Sequence, residues 1–185
     1  MIKTLSSTIA YRDAWMAVRR DEVEYADGTR GRYTVLDRDD FALVIPVAGD
    51  GFHLVEQYRY PTRARSWEFP SGSFPPGEDG TVEEMAAAEL AEEAGFTAGS
   101  WRTLGVLDVA NGTTGQRVHV FLADDLVAGE PHREPAEQDM TQAWFSGADV
   151  EQMIRDGVIT DGPSVAAYLL LTLQGPVTAL TGCRS

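Results

Sequence analysis

Three glutamates fall close together in the stretch MAAAELAEEAGF, residues 85–96: Glu89, Glu92 and Glu93. On a helix, residues three and four apart share a face, so Glu89 stands beside both of the others, and like charges at that spacing repel by roughly a few tenths of a kcal/mol. The stretch contains no Lys or Arg to offset them. Two chemistries account for such a cluster. Carboxylates at helical spacing beside a Gly/Pro loop suit an oxygen-ligated divalent cation such as magnesium, which would in turn bind a phosphate-bearing substrate. They equally suit the solvated acidic face of a surface helix. Spacing alone leaves both open.

The elements that must position these residues can be read on either side of them. Thr81 is a candidate N-cap, Glu84 completes a capping box, and Gly95 stands at the C′ position, so a helix is expected from Thr81 to Ala94. The loop SGSFPPGEDG precedes it. Upstream, YADGTRGRYTVL predicts two strands around Asp27-Gly28, and FALVIPV with FHLVEQY predicts a second hairpin turning near Gly49 to Gly51. Downstream, WRTLGVLDV, RVHVFLA and TQAWF read as strands. Two helices follow, one over ADVEQMIRD before Gly157 and one from Pro163 to about Gln174. Strands, one central helix, more strands and closing helices define an α+β class. Residues 1–35 form an N-terminal β element, of which residues 1–32 have a weaker core pattern and are expected to pack against a partner subunit, and residues 36–185 form the main domain.

Composition narrows the function. A chain of 185 residues, 43% hydrophobic and 24% charged, supports one main core. Acids outnumber Lys and Arg by 29 to 15, giving a formal charge of −14, which argues against a nucleic-acid or anionic-membrane surface. An acidic protein that handles an anionic substrate needs a cation in between. The single cysteine, Cys183, offers neither an intramolecular disulfide nor a thiolate cluster. The opening MIKTLSSTIAYRDAW lacks a signal-peptide core and VAAYLLLTL is too short to span a bilayer, so the cytoplasm is the expected location.

The residues around the cluster resemble the Nudix hydrolases, whose box runs glycine, five residues, glutamate, seven residues, then Arg-Glu-apolar-x-Glu-Glu-x-Gly-apolar. Gly72 and Glu78 fit its first part, and Glu89, Leu90, Glu92, Glu93, Gly95 and Phe96 its second. There are two departures: two extra residues follow Glu78, and Ala88 occupies the arginine position. WEFPSG at 67–72 and VEQYRYP at 55–61 look like segments of the ADP-ribose pyrophosphatases. DGVITDGPSVAAYLLL is similar to their C-terminal helix entry, and residues 11–36 to the N-terminal strands that help form a dimer.

The resemblance implies an α-β-α sandwich with a mixed, curved sheet, a homodimer, and a magnesium- or manganese-dependent hydrolase. Its expected substrate is a nucleoside diphosphate derivative, foremost ADP-ribose, which would yield AMP and ribose 5-phosphate. It also implies roles. Glu89 and Glu93 match metal-ligating glutamates, Glu92 a ligand or orienting group between them, and the Ser71 carbonyl a backbone ligand. Arg59 matches a substrate-facing cation, with Glu68 beside it in the substrate site. Trp15 and Trp67 are candidates to sandwich an adenine. The general base is expected in HREPAEQDM, with Glu137 ahead of Glu134 and Asp139. His53, His119 and His132 are scattered, and none looks like a ligand. Ala88 leaves two alternatives standing: a pyrophosphatase for sugars such as GDP-mannose, or an impaired domain that binds a nucleotide derivative as a sensor.

Overall fold

The computed structural model describes residues 1–133 and 137–175. Its first three strands, β1 (Lys3–Arg12), β2 (Ala17–Glu24) and β3 (Arg30–Asp37), form an antiparallel meander. The β2–β3 turn falls at Asp27-Gly28, where Gly28 adopts φ 82° and the Tyr25 N–H donates to the Thr29 carbonyl at 2.8 Å. A left-handed residue is what such a turn requires, and glycine adopts it at no steric cost. Every residue of β1 is exposed.

The main sheet is built from β4 (Phe41–Ala48), β5 (Gly51–Arg59), β6 (Ala64–Glu68), β7 (Ser71–Gly72), β8 (Phe96–Asp108), β9 (Arg117–Ala128) and β10 (Thr141–Ser146). Three helices accompany it: α1 (Val82–Ala94), α2 (Gly147–Arg155) and α3 (Gly162–Leu173). The strand order is β10-β5-β4-β9-β8, with β6 added to β5 and β7 to β4. β4 runs parallel to β9 and the other pairings are antiparallel, so the sheet is mixed.

One irregularity creates the space for a site. β4 and β5 pair only beside their turn, at Val47↔Phe52 and Ala48↔Gly51. Beyond that they part, and the chain from Ala64 to Gly72 occupies the opening, β6 on β5 and β7 on β4. β6 and β7 were absent from the expected strands because WEFPSG carries Pro70 and a two-residue strand leaves no periodicity to read. β8 also begins earlier than WRTLGVLDV implied: Ala98, Gly99 and Ser100 are weak strand formers, held extended by pairing with the end of β9.

Alternation along β4 explains the layers. Leu43, Ile45 and Val47 join a core cluster with Val150 of α2 and Ala167 and Leu171 of α3, whereas Ala42 and Val44 join Met85, Ala86 and Leu90 of α1. β9 divides the same way, Val120 and Leu122 to the first cluster and Phe121 and Ala123 to the second. Period-two side chains covered on both faces produce a continuous apolar strand such as FALVIPV and a helix-sheet-helix sandwich. This is the expected fold. No helix among the described residues is long and apolar enough to cross a membrane.

If β4 is the shared centre of both layers, Ile45→Ala should lower the free energy of unfolding by about 2–5 kcal/mol through loss of burial and a residual cavity. Thr81→Ala, which removes only the α1 cap, should cost about 1 kcal/mol. Guanidinium unfolding curves distinguish the two, and equal small losses would contradict this layering.

Candidate active site

Helix α1 is fixed at both ends. The Glu84 N–H donates to Thr81 Oγ1 at 3.2 Å, while the Thr81 N–H donates to Glu84 Oε2 at 2.8 Å. Gly95, at φ 72°, turns the chain directly into β8. Met85, Ala86, Leu90 and Ala94 face the core. The same helical spacing carries Glu89, Glu92 and Glu93 to a cleft of about 370 Å³ that also includes Arg59, Ser71 and Gly72.

The two-residue strand β7 brings backbone against these carboxylates. Ser71 donates its N–H to Glu93 Oε2 at 3.0 Å. A Cβ on Gly72 would lie 2.3 Å from Glu89 Oε1, so any larger residue there would push the Glu89 carboxylate aside. Glu93 is only 2% exposed. Burial pushes its carboxyl well above the ordinary range, Glu89 and Glu137 push it further, and the Ser71 N–H and Arg59 pull against them.

Arg59, at the end of β5, is the cation facing this acidic wall. Its Nε lies 3.1 Å from each oxygen of Glu68, and an Nη2 contact completes the ion pair. Glu68 is buried while the Arg59 side chain remains 43% exposed. Burial raises the Glu68 carboxyl and Arg59 draws it back down. Arg59 thus lines the cleft with its guanidinium held from one side by Glu68. It also lines an adjoining cleft of about 240 Å³, which shares Ser71, Gly72 and Ser73 and adds Arg38, Gln116 and Asp161.

Glu137, on the segment leading to β10, also lines the first cleft, near enough to Glu93 to raise its carboxyl. Trp15, half exposed on the β1–β2 turn, lines it too. The remaining residues expected at the site stand elsewhere. Glu68 lies behind Arg59, outside the lining of either cleft, because its carboxylate is spent on the guanidinium. The Trp67 ring stacks edge-on against Phe145 at 4.8 Å between centroids, packed on the α2–α3 side of the sheet. Asp139 pairs with Arg65 at 2.7 Å. Glu134 lies outside the described residues. His53 packs on Phe96, His119 meets Asp40 at 3.2 Å, and His132 gives its N–H to the Glu92 carbonyl, so none lines the cleft.

Arg65 and Arg133 escaped sequence reasoning. Each is a single arginine in a loop or hairpin, and its partners, the Asp139 carboxylate for one and the Glu93 carbonyl for the other, are remote in sequence. The one available signal was the lack of any basic residue in the last turn of α1.

The donor set suits a hard divalent cation: the available ligands are carboxylate and carbonyl oxygens, and a positive charge there would offset the burial and the neighbouring acids that together raise Glu93. Among the described residues, no three acidic, His or Cys side chains already converge as a closed cage. The carboxylates line the cleft without meeting at a point.

A fold with this helix, loop and cleft matches a NUDIX domain over residues 37–168, and the chain belongs to that family. Residues 2–36 match a nucleoside diphosphate sugar hydrolase N-terminal domain. The chain is 32% identical over 170 residues to the ADP-ribose pyrophosphatase of Mycobacterium tuberculosis (strain ATCC 25618 / H37Rv), covering 90% of this chain and 81% of that relative. It is 26% identical over 161 residues to the ADP-ribose pyrophosphatase of Bacillus subtilis (strain 168), covering 86% of each. A crystal structure of an ADP compounds hydrolase shares the fold, with a TM-score of 0.81 at 22% identity over 94% of this chain and 93% of the other.

The electrostatics of Glu93 give a pH test. A carboxyl raised by burial binds its proton more tightly in the folded chain, so stability falls as pH climbs from the unfolded carboxylate range through the folded pKa. Glu93→Gln removes that penalty yet can still accept the Ser71 N–H. The metal-free variant should therefore melt above wild type at neutral pH, with the difference closing in acid. Added magnesium should raise the wild-type Tm more than the variant's. Differential scanning calorimetry across pH checks both signs.

Proposed function

We propose that this chain hydrolyses the diphosphate bond of ADP-ribose, releasing AMP and ribose 5-phosphate, with magnesium or manganese as the cation. The observation that carries the reading is one cleft holding the α1 carboxylates and Glu137 against a single anchored guanidinium, Arg59. The similarity to ADP-ribose pyrophosphatases supplies the substrate.

Glu89, Glu92, Glu93 and the Ser71 carbonyl would hold the cation. When bound, it would neutralise and polarise the diphosphate and ready a water molecule. The chain's own residues do the rest. Arg59, held by Glu68 through Nε and Nη2, offers its remaining guanidinium N–H groups to phosphate oxygens. Glu137 takes a proton from the attacking water as its oxygen adds to one phosphorus, and the bridging oxygen departs with the other phosphate. Trp15 stands at the edge of the cleft, where its ring offers a stacking face for the base.

The active species is a homodimer built through the N-terminal element, residues 1–35, beside a catalytic domain from residue 36 onward. Exposure of every residue of β1, Leu5, Ile9 and Tyr11 among them, supports this assembly. A second reading, a pyrophosphatase for sugars such as GDP-mannose, is favoured by the match of residues 2–36 to a nucleoside diphosphate sugar hydrolase N-terminal domain.

Incubation of the protein with ADP-ribose or GDP-mannose and magnesium or manganese, following AMP or GMP, tests these readings. Glu93→Gln should lower turnover by at least about a hundredfold, the scale set by losing electrostatic stabilisation of developing charge. Ala88→Arg should raise activity or leave it unchanged, since a cation four residues before Glu92 relieves like-charge repulsion. Wild-type protein that binds ADP-ribose by calorimetry but releases no AMP with either metal, even with Arg at position 88, would make it a binding module instead. Light scattering should report a dimer at micromolar concentration, and a monomer there would refute the assembly.

A further inference from the structure

The segment that carries Glu137 is closed across its neck by one side chain. Arg133 donates from Nε to the Glu93 carbonyl at 3.1 Å and from Nη1 to the Met140 carbonyl. A single guanidinium therefore joins the two ends of the loop to each other and to the last turn of α1. Neighbouring bonds reinforce the closure: the His132 N–H donates to the Glu92 carbonyl at 3.0 Å, and Gln138 Nε2 donates to the Arg133 carbonyl at 2.8 Å. Met140 is buried in the cluster beneath α1. On the outer side, Arg65 holds Asp139 through its carboxylate at 2.7 Å and its carbonyl at 2.9 Å, and holds Glu56 of β5 at 2.8 Å.

These anchors have a common result. The carbonyls that Arg133 and His132 engage belong to Glu93 and Glu92, so the loop is referenced to the residues whose carboxylates line the cleft. A side chain on a loop has many positions open to it, and each must be excluded if a proton is to be taken at a fixed point. We infer that Arg133 is a positioning residue: its fork fixes where Glu137 stands relative to the carboxylates of α1, and so sets the rate of the chemical step without touching substrate. This rests on the assignment of Glu137 as general base.

Steady-state kinetics with ADP-ribose and magnesium on wild type, Arg133→Ala, Glu137→Gln and the double variant test it. Arg133→Ala should lower kcat by roughly ten- to a hundredfold with KM changed less than about threefold, as expected for a misplaced catalytic group. In the Glu137→Gln background the same change should cost less than about threefold, since the group it positions is gone. Arg133→Lys keeps the charge but lacks the rigid planar fork that meets the two carbonyls from separate nitrogens, so it too should lose kcat. Equal losses in both backgrounds, a loss confined to KM, or full activity with Lys overturns the positioning role. Retention of wild-type kcat by Glu137→Gln defeats the base assignment instead, and absence of AMP release from wild type defeats the hydrolase reading. Should Arg133→Ala melt below the assay temperature, the cycle is run with Arg133→Lys and Arg133→Gln under the same criteria.

Discussion

A carboxylate buried within reach of other acids is the constraint around which this molecule is arranged. Glu93 is buried, Glu89 and Glu137 raise its carboxyl further, and the backbone of β7 is pressed against both α1 glutamates. A chain selected only for stability would place apolar groups here, since like charges at low exposure oppose folding. The strain is tolerated because α1 is secured elsewhere, by a capping box at one end, a left-handed glycine at the other and an apolar face locked into the sheet. Stability is concentrated in the helix ends and the apolar face, which offsets the cost of burying Glu93 near the other acids.

The splayed β4–β5 hairpin is the second half of the arrangement. Had the two strands paired along their whole length, nothing would separate Arg59 on β5 from the far end of β4. Their divergence lets β6 supply Glu68, which locks Arg59, and β7 supply Ser71 and Gly72, which meet α1. A cation and an acidic wall are thereby brought to one cleft from elements adjacent in sequence. Opposite charges that fail to neutralise each other directly are suited to an anionic ligand bridged by a metal, which is the charge arrangement a diphosphate needs.

Much of this was legible in the sequence because it is encoded locally. The α1 limits follow from Thr81, Glu84 and Gly95, all within a few residues of what they cap, and the layered core follows from alternation in FALVIPV and RVHVFLA. Family motifs brought Glu89, Glu92, Glu93 and Arg59 together before any coordinates did. What escaped depended on partners far along the chain. Glu68 and Trp67 sit in the same motif as Ser71 and Gly72, yet neither lines the cleft. One is consumed by Arg59 and the other packs on Phe145. Arg133 finds its acceptor forty residues upstream, at Glu93, and no short-range pattern announces such a bond.

Ala88 shows how the same charge can be supplied by different means. The family's arginine would stand on α1 beside the carboxylates, and here a methyl group occupies that place on the cleft wall. Two other guanidiniums approach the cluster from outside the helix. Arg59 lies close enough to lower the raised carboxyl of Glu93, and Arg133 meets the Glu93 carbonyl, where a cation also complements the negative end of the helix dipole. Neither sits where the helix would put an arginine of its own, so neither can orient Glu92 from the side. Charge compensation for Glu93 therefore comes from outside α1, and no cation of the helix itself stands beside Glu92.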